Sequence, residues 1–348
     1  MNTTVNGINI SYPDLGFAFN PIRIFIDNYT RSDSIVLESN GVKIEREPYQ
    51  GTTSVSFELS AIAKSLFDRL RFYKVEPVDT TLLKTLSFTL RNSTGLIYEG
   101  SIPVIWGALQ IGETYTQNKT LTYFKGFPFT MPLYTEGKVV LKVNGIEYKS
   151  LNAGKHNIDI PNIVSSGVIT IEVADEFNRK IFDYTFDYTF GPQRVLVAKG
   201  VYIKVNVVDC PNEGVYLRWI NKHGEYNYYL FRNSDQSTTT KNHSIEYDNV
   251  FYTTSLTNNY HQGTGQSIGK DVEQRIKLFA DLVDSDTFDM LVSLTESPVV
   301  DLFAGYDEYN KPKWISITIA EGTFAKTSAA LQDFELFIIP NKRQIQML

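Results

Sequence analysis

The tract Phe182-Asp183-Tyr184-Thr185-Phe186-Asp187-Tyr188-Thr189-Phe190 sets Phe or Tyr at every second position, with Asp or Thr between them. Successive side chains of a strand point to opposite faces, so one face of this segment is aromatic and the other polar. Its aromatic face must be buried against another layer. The same two-residue period returns in Val55, Phe57 and Leu59, in Val168 to Val173, and in Ile276, Leu278, Ala280 and Leu282. Aromatic residues make up 13% of the chain, a composition that favours strands. The sequence therefore predicts a mainly β protein.

Turn signals divide the strands. Asn40-Gly41 and Asn144-Gly145 sit between apolar-alternating runs, and both residue types tolerate the positive φ of a tight hairpin turn. Leu86 to Leu90 with Gly95 to Tyr98 read as another hairpin, and Pro103 suits an edge position. Two helices interrupt the pattern. Ser60 opens a short one with Ile62, Leu66 and Leu70 on one face. Asp284 or Ser285 caps a second over 284–296, carrying Phe288, Leu291 and Val292 and ending at Ser297-Pro298. Residues 233–244 are polar and read as an exposed loop. Val299 to Phe303, Trp314 to Ile319 and Phe334 to Ile338 read as closing strands.

These signals predict three consecutive β-rich units. Residues 1–110 form a β-rich domain with one short helix, 111–192 an immunoglobulin-like β-sandwich, and 193–348 a β-barrel or sandwich with one flanking helix. Gly191-Pro192 marks the second boundary.

Function classes are narrowed by what the residues lack. A net charge of −6 gives no basic field for nucleic acid or an anionic membrane. The N-terminal MNTTVNGINISYPDLGF has neither a basic start nor an apolar core, so the reading expects no secretory signal, and no apolar run reaches membrane-spanning length. Cys210 is the sole cysteine and reads as a half-buried thiol beside Pro211. Gly263-Thr264-Gly265-Gln266-Ser267-Ile268-Gly269-Lys270 imitates a phosphate loop, but Asp271 replaces the magnesium-binding hydroxyl and the glycine spacing fails, so a flexible surface loop is expected. His156, His223, His243 and His261 show no metal-ligand spacing and read as solvated turn residues. Asp301, Asp307 and Glu308 near Tyr306 match no calcium loop. Trp106, Trp219, Trp314, Tyr184 and Tyr188 read as core more than as sugar-stacking platforms. No catalytic, cofactor-binding or metal-binding residue is assigned, and no enzyme or cofactor is expected.

One resemblance sharpens this. Val215-Tyr216-Leu217-Arg218-Trp219-Ile220-Asn221, Gly224 and Tyr228-Tyr229-Leu230-Phe231 are followed by a strand Gln274 to Leu282, the acidic helix start at Asp284, Phe288 to Leu294, Ser297-Pro298, Val299 to Phe303 and Trp314-Ile315-Ser316-Ile317. Over about residues 195–340 this order resembles tail or baseplate structural proteins of tailed bacteriophages of Bacteroidetes-type hosts, of the distal-tail or tail-hub kind. The resemblance implies a non-enzymatic virion protein, made in the host bacterial cytoplasm. It would form or decorate an oligomeric ring, often sixfold, of the tail, baseplate or neck, with other tail proteins as partners. A carbohydrate- or cell-surface-binding receptor-recognition module stays open as the alternative.

Overall fold

The computed structural model describes the chain except residues 50, 69–71, 73–74, 160–166, 175–180, 188–190, 197–200, 210–212, 247–264 and 341–348. The fold is mainly β with two helices, Ser60–Ser65 (α1) and Ser285–Glu296 (α2), among the described residues. It divides into two compact units. One holds Met1–Asn212, Arg218–Tyr229 and Glu296–Val299. The other holds Glu213–Leu217, Leu230–Thr295 and Val300–Leu348.

The larger unit begins with two sheets. In the first, Asn2–Val5, Ile8–Ser11, Arg23–Asp27 and Val55–Glu58 lie side by side. In the second, the order is Gly16–Phe17, Gly95–Ile105, Leu83–Asn92, Ile35–Ser39 and Val42–Arg46. The Asn40-Gly41 hairpin forms as its residue types require, with φ of 48° and 77°. Gly16–Phe17 pairs only with Val104 and Ile105, so Pro103 falls on the stretch of Gly95–Ile105 that this short strand leaves uncovered. Tyr12 packs edge to face on Phe88, their centroids 5.3 Å apart.

A five-stranded sheet follows in the order Lys119–Phe124, Val201–Val208, Gly167–Ala174, Val139–Val143, Ile146–Leu151. Its first pair is parallel, Lys119 opposite Ile203. The strand Val201–Val208, which the sequence groups with the last segment, thus sits between two strands of the middle one. Asn144-Gly145 turns with φ of 49° and 80°. Beside this sheet, Thr130–Thr135 pairs with Gly154–Asp159, and Phe182–Asp187 lies between Thr114–Tyr115 and Gly191–Leu196.

The aromatic tract behaves as its period dictates as far as it is described. Tyr184 and Phe186 are buried in a cluster with Tyr115, Tyr134, Leu15, Phe17, Ile105 and Leu109, and Phe182 packs against it. Tyr188 lies outside the described residues. Thr185 takes the opposite face, where its hydroxyl shares a 3.0 Å hydrogen bond with that of Thr114. Residues of the first and middle segments therefore share one core.

The smaller unit is built on a sheet in the order Asn233–Glu246, Gly265–Asp284, Leu331–Ile339, Thr318–Ile319. Gln332, Phe334, Leu336 and Ile338 alternate inward along Leu331–Ile339. Phe288, Leu291 and Leu294 are the buried residues of α2, and Phe288 meets Phe334 edge to face at 5.5 Å. Asp284 caps α2 by accepting the Thr287 N–H at 2.7 Å. That bond and the Thr287 hydroxyl hold the Asp284 carboxyl below the usual carboxylate range. Val300–Tyr306 and Pro312–Ser316 close the unit as a hairpin.

Two expectations are corrected here. Residues 233–244 are not a loop: Asn233–Glu246 is a continuous strand, paired from Asn233 opposite Phe279 to Glu246 opposite Gly265. Likewise Gly265 to Lys270, read as part of a flexible glycine loop, opens the partner strand, whereas Gly263 and Thr264 lie outside the described residues. The run Thr238-Thr239-Thr240 explains the first error. Threonine is β-branched and suits a strand, but a strand solvated on both faces shows no hydrophobic alternation.

Candidate functional site

Two features of the molecule exceed what packing a β protein requires: a buried set of charged groups in the larger unit and a projecting ribbon in the smaller one.

The buried set begins at the turn Asn221–Glu225, which the Asn221 side chain shapes by accepting the N–H groups of His223 and Glu225. Gly224 has φ of +68°, and a Cβ there would stand 2.3 Å from the Trp106 carbonyl oxygen. Only glycine lets the turn press this close. The Ala108 N–H donates to the Lys222 carbonyl at 2.6 Å and fixes the contact. Glu225 is thereby driven into the interior, where its carboxylate accepts Lys119 Nζ at 2.7 Å and the Tyr115 hydroxyl at 3.0 Å. Burial pushes the Glu225 carboxyl up, but the Lys119 and Lys155 charges outweigh it and hold the group below its ordinary value. Tyr115 is driven well up by burial and by the Glu225 charge, so it stays a hydroxyl.

Lys155, on Gly154–Asp159, has a fully buried side chain. Its Nζ donates to the Gly224 carbonyl and lies 3.6 Å from Asp79 Oδ2. The segment that carries Asp79 runs along the same strand, with the Asp79 N–H on the Lys155 carbonyl at 2.8 Å and the Asn157 N–H on the Pro77 carbonyl at 3.0 Å. Asp79 Oδ1 accepts three donors: the N–H and hydroxyl of Thr81 at 3.0 and 2.9 Å, and the Leu82 N–H at 2.8 Å. Oδ2 accepts Asn157 Nδ2 at 3.1 Å. Burial pushes this carboxyl up, and Lys155 together with the donors carries it below the usual range. None of these residues stands out in the sequence. Lys155, His156 and Asn157 are consecutive polar residues on a strand buried on both faces, a pattern that mimics a surface loop.

The projecting ribbon is the outer part of the hairpin formed by Asn233–Glu246 and Gly265–Asp284. Among the described residues, Leu331–Ile339 covers only the Ile276 to Asp284 stretch of the second strand. Beyond that point the hairpin continues as two strands for about ten residue pairs, roughly 30 Å at the rise of a β-strand. Ser237 to Lys241 are all exposed, so both faces of this strand meet solvent. Across the ribbon His243 pairs with Asp271 at 2.8 Å. A second exposed feature of this unit is aromatic: Tyr309 is 74% and Tyr306 42% exposed on the hairpin that also bears the half-buried Trp314.

The other sequence candidates scatter. Trp106 and Trp219 are core residues, and Tyr184 is buried. Trp314 packs on Tyr216 and Phe303 at 6.1 and 5.5 Å. Two histidines depart from the expected solvated turns. His156 lies buried on a strand, its Nε2 2.8 Å from the Asn152 carbonyl, and burial lowers its pKa. His223 is half-buried, 2.9 Å from Glu113 and edge-on to Tyr115. His243 is exposed, though on a strand. Asp301 is buried and accepts the Ser316 hydroxyl, whereas Asp307 caps its own turn by accepting the Tyr309 and Lys311 N–H groups. Among the described residues no group of three or more His, Cys, Asp or Glu is placed to hold a metal, and no helix is long and apolar enough to cross a membrane. Cys210 and His261 lie outside the described residues.

No protein-family model and no curated protein matches the chain. A solved structure of the fibronectin(III)-like modules of Clostridium thermocellum CbhA is similar over 58% of this chain and 94% of its own, at 10% identity and a TM-score of 0.17. Nothing about fold or activity follows from a likeness of that size.

Proposed function

We propose that the chain is a non-enzymatic structural protein of a tailed-phage virion, made in the bacterial cytoplasm and building or decorating an oligomeric ring of the tail, baseplate or neck. The projecting ribbon carries this reading. An isolated two-stranded hairpin is marginally stable in water. Among the described residues no further strand pairs with its outer edge strand, Asn233–Glu246, which leaves a row of backbone donors and acceptors open. Its Thr-rich, uncharged stretch from Gln236 to Thr240 lacks the lysines and prolines that keep edges apart. A ribbon of this kind gains its missing partners from a neighbouring subunit, and a head-to-tail contact repeated around an axis closes a ring. The test is association of the purified chain, followed by sedimentation and negative-stain imaging. Rings that disappear when residues 239–273 are replaced by Asn-Gly support the reading. Rings that persist without the ribbon, or a monomer at every concentration, count against it.

The second reading, a glycan- or cell-surface-binding module, is favoured by the exposed Tyr306 and Tyr309 beside Trp314. Aromatic faces presented to solvent stack on sugar rings. A glycan-binding screen with Tyr309→Ala as the control decides it: binding lost in the variant supports this module, and a blank screen removes it.

A further inference from the structure

The larger unit holds a lysine and an aspartate arranged as reactants. We propose that Lys155 and Asp79 join in an intramolecular isopeptide bond, a covalent staple between the segment 76–82 and the strand Gly154–Asp159.

Two ions withdrawn from water lose several kcal/mol of hydration each, on the order of magnitude measured for buried pairs, and an amide carries neither charge. The side chains of Lys155 and Asp79 are 0% and 1% exposed, so the water that would hydrolyse such a bond is excluded. Proximity is built in by the backbone, because the Asp79 N–H already bonds the Lys155 carbonyl at 2.8 Å. With Nζ and Oδ2 3.6 Å apart, little movement brings the nitrogen onto Cγ. The Gly224 carbonyl accepts one Nζ proton and orients the amine.

The two carboxylate oxygens sit in unequal settings. Oδ1 is held by two backbone N–H groups and a hydroxyl at 2.8 to 3.0 Å. That is the distance and donor type of an oxyanion hole, which stabilises charge developing on a carbonyl oxygen. Oδ2 faces the lysine and has one amide donor, Asn157 Nδ2 at 3.1 Å. Oδ1 is therefore the oxygen that stays and Oδ2 the one that leaves.

The step balances without any co-reactant. A proton passes from the Lys155 ammonium to Oδ2, giving a neutral amine and a carboxylic acid. The nitrogen lone pair forms the Nζ–Cγ bond while the C=O π pair moves onto Oδ1. A second proton then passes from the nitrogen to Oδ2. The Oδ1 pair then restores C=O, the Cγ–Oδ2 bond breaks and water departs. The Asn157 amide, whose Nδ2 donates to Oδ2 at 3.1 Å, stands at the departing oxygen.

The test is the mass of the full chain under denaturing conditions, followed by peptide mapping. The expected result is a chain lighter by one water than its sequence, no tryptic cleavage after Lys155, and a branched peptide joining Asp79 to Lys155. Thr81→Val removes one Oδ1 donor and leaves both reactants, so cross-linking of newly made chain slows by on the order of 100-fold and an unlinked species accumulates. A chain at full sequence mass that is cleaved after Lys155 overturns the proposal and leaves a buried ion pair. A water lost at any other site overturns it equally. The unmodified chain supplies both readouts, so a misfolded variant does not blunt the test.

Discussion

The strands Phe182–Asp187 and Asn233–Glu246 make the sharpest contrast in the molecule. Both carry β-branched or aromatic residues, and each lies in a sheet. In one, Tyr184 and Phe186 are sealed in a cluster of eight buried residues. In the other, every residue from Asn233 to Lys241 is exposed. The first strand is held by what it buries, so its period reads directly from the sequence. The second is held by backbone pairing to one neighbour, and its side chains record only that solvent lies on both faces. Stability is thus concentrated in the aromatic layers, and the described part of the ribbon adds little buried surface.

This contrast can be broken at several strengths. Replacement of Lys155 by Met removes the amine of the proposed cross-link and leaves the Asp79 carboxylate buried without a cation, and an unpaired buried charge alone costs about 3–5 kcal/mol. Urea unfolding of the larger unit is expected to shift accordingly. In the smaller unit, Phe288→Ala empties the contact with Phe334 and is expected to cost a similar 3–5 kcal/mol or so. Asp284→Ala removes the cap of α2 and costs about 1 kcal/mol, read from the same transition. Thr239→Pro, at the exposed ribbon, is expected to change unfolding by no more than about 0.5 kcal/mol while abolishing association.

The pH dependence has a definite sign. Burial pushes the Glu113 carboxyl up, but His223, Lys222 and the Gln110 N–H outweigh it and depress it from 4.5 to about 2. A group whose folded pKa is depressed contributes stability that is complete above its unfolded value and vanishes as pH falls through the folded one. Stability is therefore expected to decline between about pH 4.5 and 2, and Glu113→Gln is expected to flatten that decline in acid-unfolding curves.

The legible part of the fold was the part with a hydrophobic period or a turn signature. Asn40-Gly41 and Asn144-Gly145 form their turns, Asp284 caps α2, and Phe334 to Ile338 forms a closing strand. Three things escaped. The strand Asn233–Glu246 has no buried face to announce it. The place of Val201–Val208 depends on a parallel pairing with Lys119–Phe124, made across a large sequence separation that no local pattern encodes. The buried charges escaped because their environment is assembled from distant segments. Glu225 reads as a polar turn residue until Gly224 is seen pressed on the Trp106 carbonyl. His156 misled for the same reason, since Gly154–Asp159 is covered on both faces.

The central claim is that the ribbon exists for a neighbouring subunit. The sharpest test is analytical ultracentrifugation of the intact chain against the form with residues 239–273 replaced by Asn-Gly. A closed oligomer is expected for the first and a monomer with unchanged thermal unfolding for the second. Identical sedimentation of the two, whether as rings or as monomers, would contradict it.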